Sequence, residues 1–438
     1  MSQIEEIYKL YKECNQKICT DTRSSDIKNS IFFGIKGDNF DGNLYAEQAL
    51  EMGAKYAITE SNNFKSNPRL IYVKKTIKTL QLLAKLHREK FNIPIISITG
   101  SNGKTTTKEI LNHLLSTKFS TCFTKGNYNN HIGVPLTVLS LNKKHEIGII
   151  ELGANHLGEI DLLCHIAQPN NGIITNIGKA HLEGFGSYNN IIKAKSELYN
   201  YIIKNNGNLF VDQQNTTLLN LTGKYKHQHF YHAKIKSNSK STKDDILYFE
   251  CNPFLKINWG NNNIQTKIIG NYNAKNIAAA IKIAKYFSIE DLEISNVLKD
   301  FRLKNNRSEF IKTEKNEIIL DAYNANPTST SIAINNFMII KSKYPLLQHT
   351  IILGDMLELG ENALKLHQEI IDLLINLKIK NCYLVGPIFK KTNYPNYFNH
   401  SISVNECCNI MSQHPIQNSL ILIKGSRKLK LEKLTELL

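Results

Sequence analysis

Residues 93–115 dictate the centre of any fold this chain can adopt. An apolar run, Ile93-Pro94-Ile95-Ile96-Ser97-Ile98, has the character of a buried strand. It turns through Thr99-Gly100-Ser101-Asn102-Gly103-Lys104-Thr105-Thr106, and apolar residues then recur at Ile110, Leu111, Leu114 and Leu115 with helical spacing. Strand, glycine-bearing turn and helix make a phosphate cradle. The N–H groups at a helix start lack internal partners and carry partial positive charge, so anions bind there. Gly100 and Gly103 allow close backbone approach. Lys104 can reach terminal phosphate oxygens, and the Thr105 hydroxyl can ligate Mg²⁺. The loop is shorter than the usual pattern, because Ile98 stands where a first glycine is expected. An ordinary Gly/Asn turn capping a helix is the alternative.

At 438 residues the chain exceeds one ordinary core, so two or three domains are expected. A composition of 42% hydrophobic and 21% charged residues is that of a globular chain, not a disordered one. No uninterrupted apolar run approaches the ~18 residues of a membrane span, so no membrane insertion is expected. Glu5, Glu6, Lys9, Lys12 and Glu13 occupy the place of a signal-peptide core, so a cytoplasmic protein is expected. The eight cysteines include no C-x-x-C pair and read as reduced thiols. The net charge of +16 fits nucleic-acid binding, anionic small substrates or drift toward lysine. Its dispersion, without a Lys/Arg block, favours the last two and argues for no nucleic-acid partner.

Residues 1–90 read as a small α/β unit. It carries Cys19-Thr20-Asp21-Thr22-Arg23 and the stretch from Ile31 to Gly42 beside candidate strand ends. A helix from Tyr45 to Met52 should end at Gly53. Residues 91–305 alternate apolar strands with helices, which predicts a mostly parallel sheet. Ile147-Gly148-Ile149-Ile150 ends in Glu151, an acid at a strand's carboxyl end and so placed for Mg²⁺. His181 and Lys195 taken singly are ordinary structural residues; their interest lies in their company with Glu151 and Thr105. His227, His229 and His232 invite a zinc reading that no nearby cysteine or carboxylate completes. The Asn-rich stretch 205–268 shows only short strand-like pieces. Asn273 and Asn276 share a helix face and could meet a nucleobase edge or cap the helix. Residues 306–438 hold three further buried-strand candidates ending in polar or glycine residues, as in a second nucleotide-type, Rossmann-like domain.

Together these segments resemble the Mur ligases, the ATP-dependent amide-forming enzymes of peptidoglycan synthesis. The loop Thr99–Thr106, Glu151-Leu152-Gly153, the His181 segment, Ala194-Lys195 and Gly270–Asn276 carry the shared framework. Gly126-Asn127-Tyr128-Asn129-Asn130, Asp321–Pro327, Leu353–Gly360 and Lys424-Gly425-Ser426-Arg427 resemble the members that add D-alanyl-D-alanine to UDP-N-acetylmuramoyl-tripeptide. The resemblance runs in order from Thr20 to Lys433. Tyr272 departs from it, since the family often has histidine there.

The resemblance implies three α/β domains and a set of roles. Gly100, Ser101, Asn102, Gly103, Lys104, Thr105 and Thr106 would hold the ATP phosphates. Thr105 and Glu151 would hold one Mg²⁺. His181 and a carbamylated Lys195 would hold a second. Asn273 and Asn276 would approach adenine, and Arg307 and Asp321 the phosphates and ribose. Thr22, Gly37, Asp38 and Asn39 would bind the uridine end, with Tyr323 and Asn326 near the peptide substrates. The domains would span 1–90, 91–305 and 306–438, with hinges near 91 and 305. A monomer is expected, more open without ligands than with them.

Overall fold

In the computed structural model the described residues are 2–37, 40–61, 67–235, 246–251 and 253–438. Asp38 and Asn39, both expected at the uridine end, therefore lie outside the described residues.

Among the described residues three larger sheets follow one another along the chain, with a two-stranded ribbon, Lys36–Gly37 and Phe40–Asp41, beside the first in sequence. The first is parallel, in the order Ile18–Cys19, Ile31–Phe33, Tyr56–Thr59, Leu70–Tyr72. Gly53 closes the helix before its third strand with φ 105°, a conformation that a side chain would oppose. That helix begins only at Ala46, because Gly42–Tyr45 winds more tightly. Asp41 accepts a hydrogen bond from the Asn43 backbone at 3.0 Å and starts that turn.

The middle sheet has nine strands among the described residues. Its order is Asn262–Ile269, Phe254–Trp259, Ile246–Cys251, Gln228–Ile235, Asn208–Asp212, Asn171–Ile174, Ile95–Thr99, Ile147–Glu151, Thr121–Phe123. Only the Phe254–Trp259 and Asn262–Ile269 strands run antiparallel to their neighbours. The strand-like pieces of the Asn-rich stretch are thus strands of this sheet. Its asparagines serve turns, such as Asn206 at φ 55°, while Leu255, Ile257 and Trp259 alternate into the core.

Helices cover both faces of this sheet, as its unbroken isoleucine runs require. On one face Ile96, Ile98, Ile149 and Phe210 pack with the helices Lys104–Leu115 and Asn273–Tyr286. On the other, Ile95, Ile150, Ile174 and Val211 pack with Thr76–Arg88, Gly133–Leu139, Glu159–Ala167 and Tyr188–Lys204. Ile98 pairs with Glu151 and Ile174 with Thr99, so the three central strands end at one level. Ligands of open α/β sheets bind at such an edge.

The third sheet runs Glu309–Lys312, Asn316–Asp321, Ser419–Lys424, Gln348–Gly354, Asn381–Val385, Asn399–Ser401, parallel apart from its first pair. It docks directly on the middle sheet's carboxyl edge. The Lys179 backbone donates to Thr328 Oγ1 at 3.2 Å, and the Glu183 backbone to the Glu358 carbonyl at 3.3 Å. All eight cysteines are unpaired. No helix among the described residues is long and apolar enough to cross a membrane.

Candidate active site

The phosphate loop is held in shape by its neighbours. Gly103 takes φ 80° at the start of its helix, and a Cβ there would sit 2.5 Å from Asn276 Oδ1. Gly100 takes φ 142°, and its Cβ would overlap Thr175 Oγ1. Ser101 exchanges hydrogen bonds with Gly178, donating at 3.0 Å and accepting at 2.9 Å. The Asn102 carbonyl accepts from Thr175 Oγ1 at 2.6 Å and Asn176 Nδ2 at 2.9 Å. Lys104 bends back so that Nζ donates to the Gly100 carbonyl at 2.6 Å. Burial lowers its pKa, against the opposing pull of Glu151.

Glu151 is 1% exposed. Its Oε1 accepts from Asn129 Nδ2 at 2.8 Å, and its backbone N–H donates to Thr124 Oγ1 at 2.9 Å. Its Oε2 is buried without a hydrogen-bond partner. An orphaned anionic oxygen is costly unless something cationic meets it.

Lys195 lies in the same neighbourhood and is 2% exposed. Burial, with Lys104 close by, pulls its pKa down to about 7, although Glu159, Glu197 and Glu151 oppose the shift. About half of its amine is therefore neutral near pH 7.

Beyond Thr105 a cavity of about 630 Å³ opens between the middle and third sheets. Thr106, Asn127, Arg307, Tyr323 and Arg427 are among its walls. The Arg307 guanidinium lies 3.5 Å above the Tyr323 ring centre and that of Arg427 5.6 Å from it. Two guanidiniums held by one ring offer fixed positive charge to an anion. The third sheet also touches the loop itself, since Asn326 Nδ2 donates to Asn102 Oδ1 at 2.8 Å.

Residues 98–284 match the Mur ligase middle domain, and residues 306–427 the Mur ligase glutamate ligase domain. The UDP-N-acetylmuramoyl-tripeptide–D-alanyl-D-alanine ligase of Bacillus subtilis is 32% identical over 434 residues, 96% of this chain and 92% of its own. The ligase of that name from Haemophilus influenzae is 34% identical, over 95% of this chain and 92% of its own. The chain belongs to the Mur ligase family. MurF from Acinetobacter baumannii superimposes with a TM-score of 0.80 at 29% identity, over 96% of this chain and 92% of that one. MurF from Thermotoga maritima, solved in complex with ADP, shares the fold with a TM-score of 0.82 at 24% identity, covering 100% and 98%.

This Mur ligase brings together most, not all, of the residues its sequence singles out. Lys104, Glu151 and Lys195 share one electrostatic neighbourhood, and Thr105, Thr106, Arg307 and Tyr323 line one cavity. Ser101 and Asn102 serve chiefly to stitch the loop to the adjoining strand end. His181 reaches toward the third sheet, where its Nδ1 lies 2.5 Å from Glu358 Oε2. The residue takes left-handed backbone, at φ 53°.

Asn273 and Asn276 are buried rather than presented to a base. Asn273 donates to the Ile269 carbonyl, Asn276 donates to Asn273, and Asn276 backs onto Gly103 of the phosphate loop. Asp321 is already engaged, pairing with Lys424 Nζ at 2.7 Å and accepting from the Ser308 backbone at 3.2 Å. Thr22 sits in the turn where Arg23 hydrogen-bonds Asp21 and holds that carboxyl at about 2, and Gly37 is exposed nearby in sequence. Of the zinc-like histidines, His229 stacks on Phe210 and meets Asn208 Oδ1 at 3.0 Å. Among the described residues no three His, Cys, Asp or Glu side chains converge on a point where a metal could sit.

Sequence reasoning gave no role to Lys108, Glu358 or Lys424. Lys108 left a signal: it stands on the buried stripe of its helix with Leu111 and Leu115, where a charge is unexpected.

Proposed function

We propose that this Mur ligase joins D-alanyl-D-alanine to UDP-N-acetylmuramoyl-tripeptide at the expense of ATP, through an acyl phosphate. The observation that carries this reading is end-to-end identity of 32–34% with ligases of that name. A cationic cavity beside a phosphate loop supports it.

The chemistry explains why so much positive charge is gathered. A substrate carboxylate must approach the γ-phosphate, and two unit charges 4 Å apart repel by about 4 kcal/mol at an effective dielectric near 20. The loop amides, Lys104 and Arg307 offset part of that repulsion. Mg²⁺, when bound, would supply the remaining charge neutralisation. The residues fit it: the partnerless Oε2 of Glu151 and the Thr105 hydroxyl are hard oxygen donors. A second ion would be held by His181 and a carbamylated Lys195. The Lys195 amine would add to the carbon of CO₂ and release one proton, which requires its neutral form. With Glu358 beside Nδ1, Nε2 of His181 would be the nitrogen free to hold the ion, a common arrangement at metal-binding histidines.

Asn273 and Asn276 support the nucleotide site by buttressing Gly103, and Arg307 and Tyr323 face the phosphates and the peptide end. Asp321 holds Lys424 and the linker at Ser308 while the ribose approaches from the cavity. Thr22 and Gly37, with Asp38 and Asn39, take the uridine end. Asn326 sets the third sheet against the loop beside the incoming dipeptide. The assignment divides the chain into 1–90 for the UDP end, 91–305 for ATP and 306–438 for D-alanyl-D-alanine. The enzyme acts as a cytoplasmic monomer. A carboxyl edge closed over by the third sheet would also protect an acyl phosphate from water.

Purified protein with ATP, Mg²⁺, UDP-tripeptide and D-alanyl-D-alanine should release phosphate and form a UDP-pentapeptide visible by mass spectrometry. Consumption of a single amino acid in place of the dipeptide would overturn the assignment.

A further inference from the structure

Lys108 is a cation where the fold needs none. Its side chain is fully buried on the helix Lys104–Leu115, among positions otherwise taken by Ile110, Leu111 and Leu114. A buried ammonium persists only when its protons are satisfied. Here Nζ donates to the Thr124 carbonyl at 2.6 Å and the Gly126 carbonyl at 3.2 Å, and Glu109 Oε1 lies 3.0 Å away. Glu151 Oε2 is 4.0 Å away, too far for a hydrogen bond. The ammonium thus fastens a strap, residues 124–130, and leaves the Glu151 oxygen open.

The strap in turn grips Glu151 from both ends. Thr124 Oγ1 takes the Glu151 N–H at 2.9 Å, and Asn129 Nδ2 reaches Oε1 at 2.8 Å. The Gly153 N–H donates to the Asn129 carbonyl at 2.7 Å. At the other end of Lys108, one helical turn back, stand Lys104 and Thr105. One side chain therefore ties the segment bearing the Thr105 hydroxyl to the segment that orients the Glu151 carboxylate. We propose that Lys108 is a positioning residue: through the strap it fixes Glu151 against the phosphate helix, so that both oxygens meet one divalent cation. The proposal rests on the Mg²⁺ reading of Glu151 given above.

The test is calorimetric binding of a non-hydrolysable ATP analogue, with Mg²⁺ and with EDTA. In Lys108→Met, Mg²⁺-supported affinity should fall about tenfold or more, the cost usual for losing a group that orients a metal ligand. Affinity in EDTA should change less than about twofold, because the loop amides and Lys104 remain. Asn129→Ala loosens the same carboxylate without emptying the core, and should give the same signature even if Lys108→Met folds poorly. Lys108→Arg, which keeps donors and charge, should recover part of the Mg²⁺-dependent affinity. Equal losses with and without Mg²⁺ in both variants, or no loss in Asn129→Ala, would overturn the proposal. Unmutated protein whose affinity ignores Mg²⁺ would overturn the underlying metal reading, a failure visible before any substitution is made.

Discussion

The linker into the third sheet is strained, and one phenol holds it. Asn305, Asn306 and Ser308 all take left-handed backbone, at φ 62°, 60° and 49°. Asparagine tolerates that region, but serine in it costs on the order of 1 kcal/mol or more. The compensation is visible. Tyr272 OH meets Ser308 Oγ at 2.5 Å, the Ser308 N–H donates to Asp321 at 3.2 Å, and the Tyr323 N–H donates to the Asn306 carbonyl at 3.1 Å. Burial pushes the Tyr272 phenol well above its ordinary value, so it stays neutral.

Tyr272→Phe removes one oxygen and keeps the ring. A buried hydrogen bond contributes about 1 kcal/mol net, and stranding Ser308 Oγ raises the loss toward about 2 kcal/mol. That corresponds to roughly a 5- to 30-fold larger population of released linker. Hydrogen exchange by mass spectrometry should show peptides covering 303–310 speeding up by about that factor, with the strand Ile95–Thr99 unchanged. Tyr11→Phe is the control, because its hydroxyl bonds the Leu139 carbonyl far from the linker. It should lower the melting temperature without touching exchange at 303–310. Equal acceleration of the linker in both variants, or none in Tyr272→Phe, would refute the idea of a phenol-held linker.

Four other outcomes are expected. Lys104→Ala should reduce ATP-dependent phosphate release by about two orders of magnitude or more, with circular dichroism unchanged; near-normal turnover would remove Lys104 from the chemistry. Lys195→Ala should lose activity that short carboxylates partly restore, and full activity without additive would end the carbamate assignment. With its pKa lowered to about 7, Lys195 is mostly ammonium below that pH and cannot take up CO₂. Activity should therefore fall as pH drops through about 7, and added bicarbonate should move that limb to lower pH; a limb indifferent to bicarbonate would contradict this. Small-angle scattering should show a smaller radius of gyration with ATP analogue and UDP-tripeptide than without, and an unchanged radius would count against domain closure.

How much of this was legible depends on how local each contact is. The phosphate loop could be read because its strand, glycines and helix adjoin in sequence, and each obeys its own period. Glu151 could be read for the same reason, as the polar end of an apolar run. The Asn-rich stretch showed its strand-like pieces because Leu255, Ile257 and Trp259 alternate into the core, but nothing local said that they extend the middle sheet. The pairing of His181 with Glu358 could not be read, since Glu358 comes from the third domain and both residues depend on left-handed backbone that no side chain announces. Asn102 and Asn326 show the same limit from the other direction. Each sits in a recognisable polar strand end, yet their hydrogen bond exists only because two independently built sheets meet edge to edge. A sequence shows which strand ends are prepared for a ligand; which of them face one another is decided by docking. That is why the hold of Lys108 on Thr124 and Gly126, a contact between a helix and the strap beside it, leaves a trace as a charge on a buried stripe, whereas the contact of His181 with Glu358 leaves none.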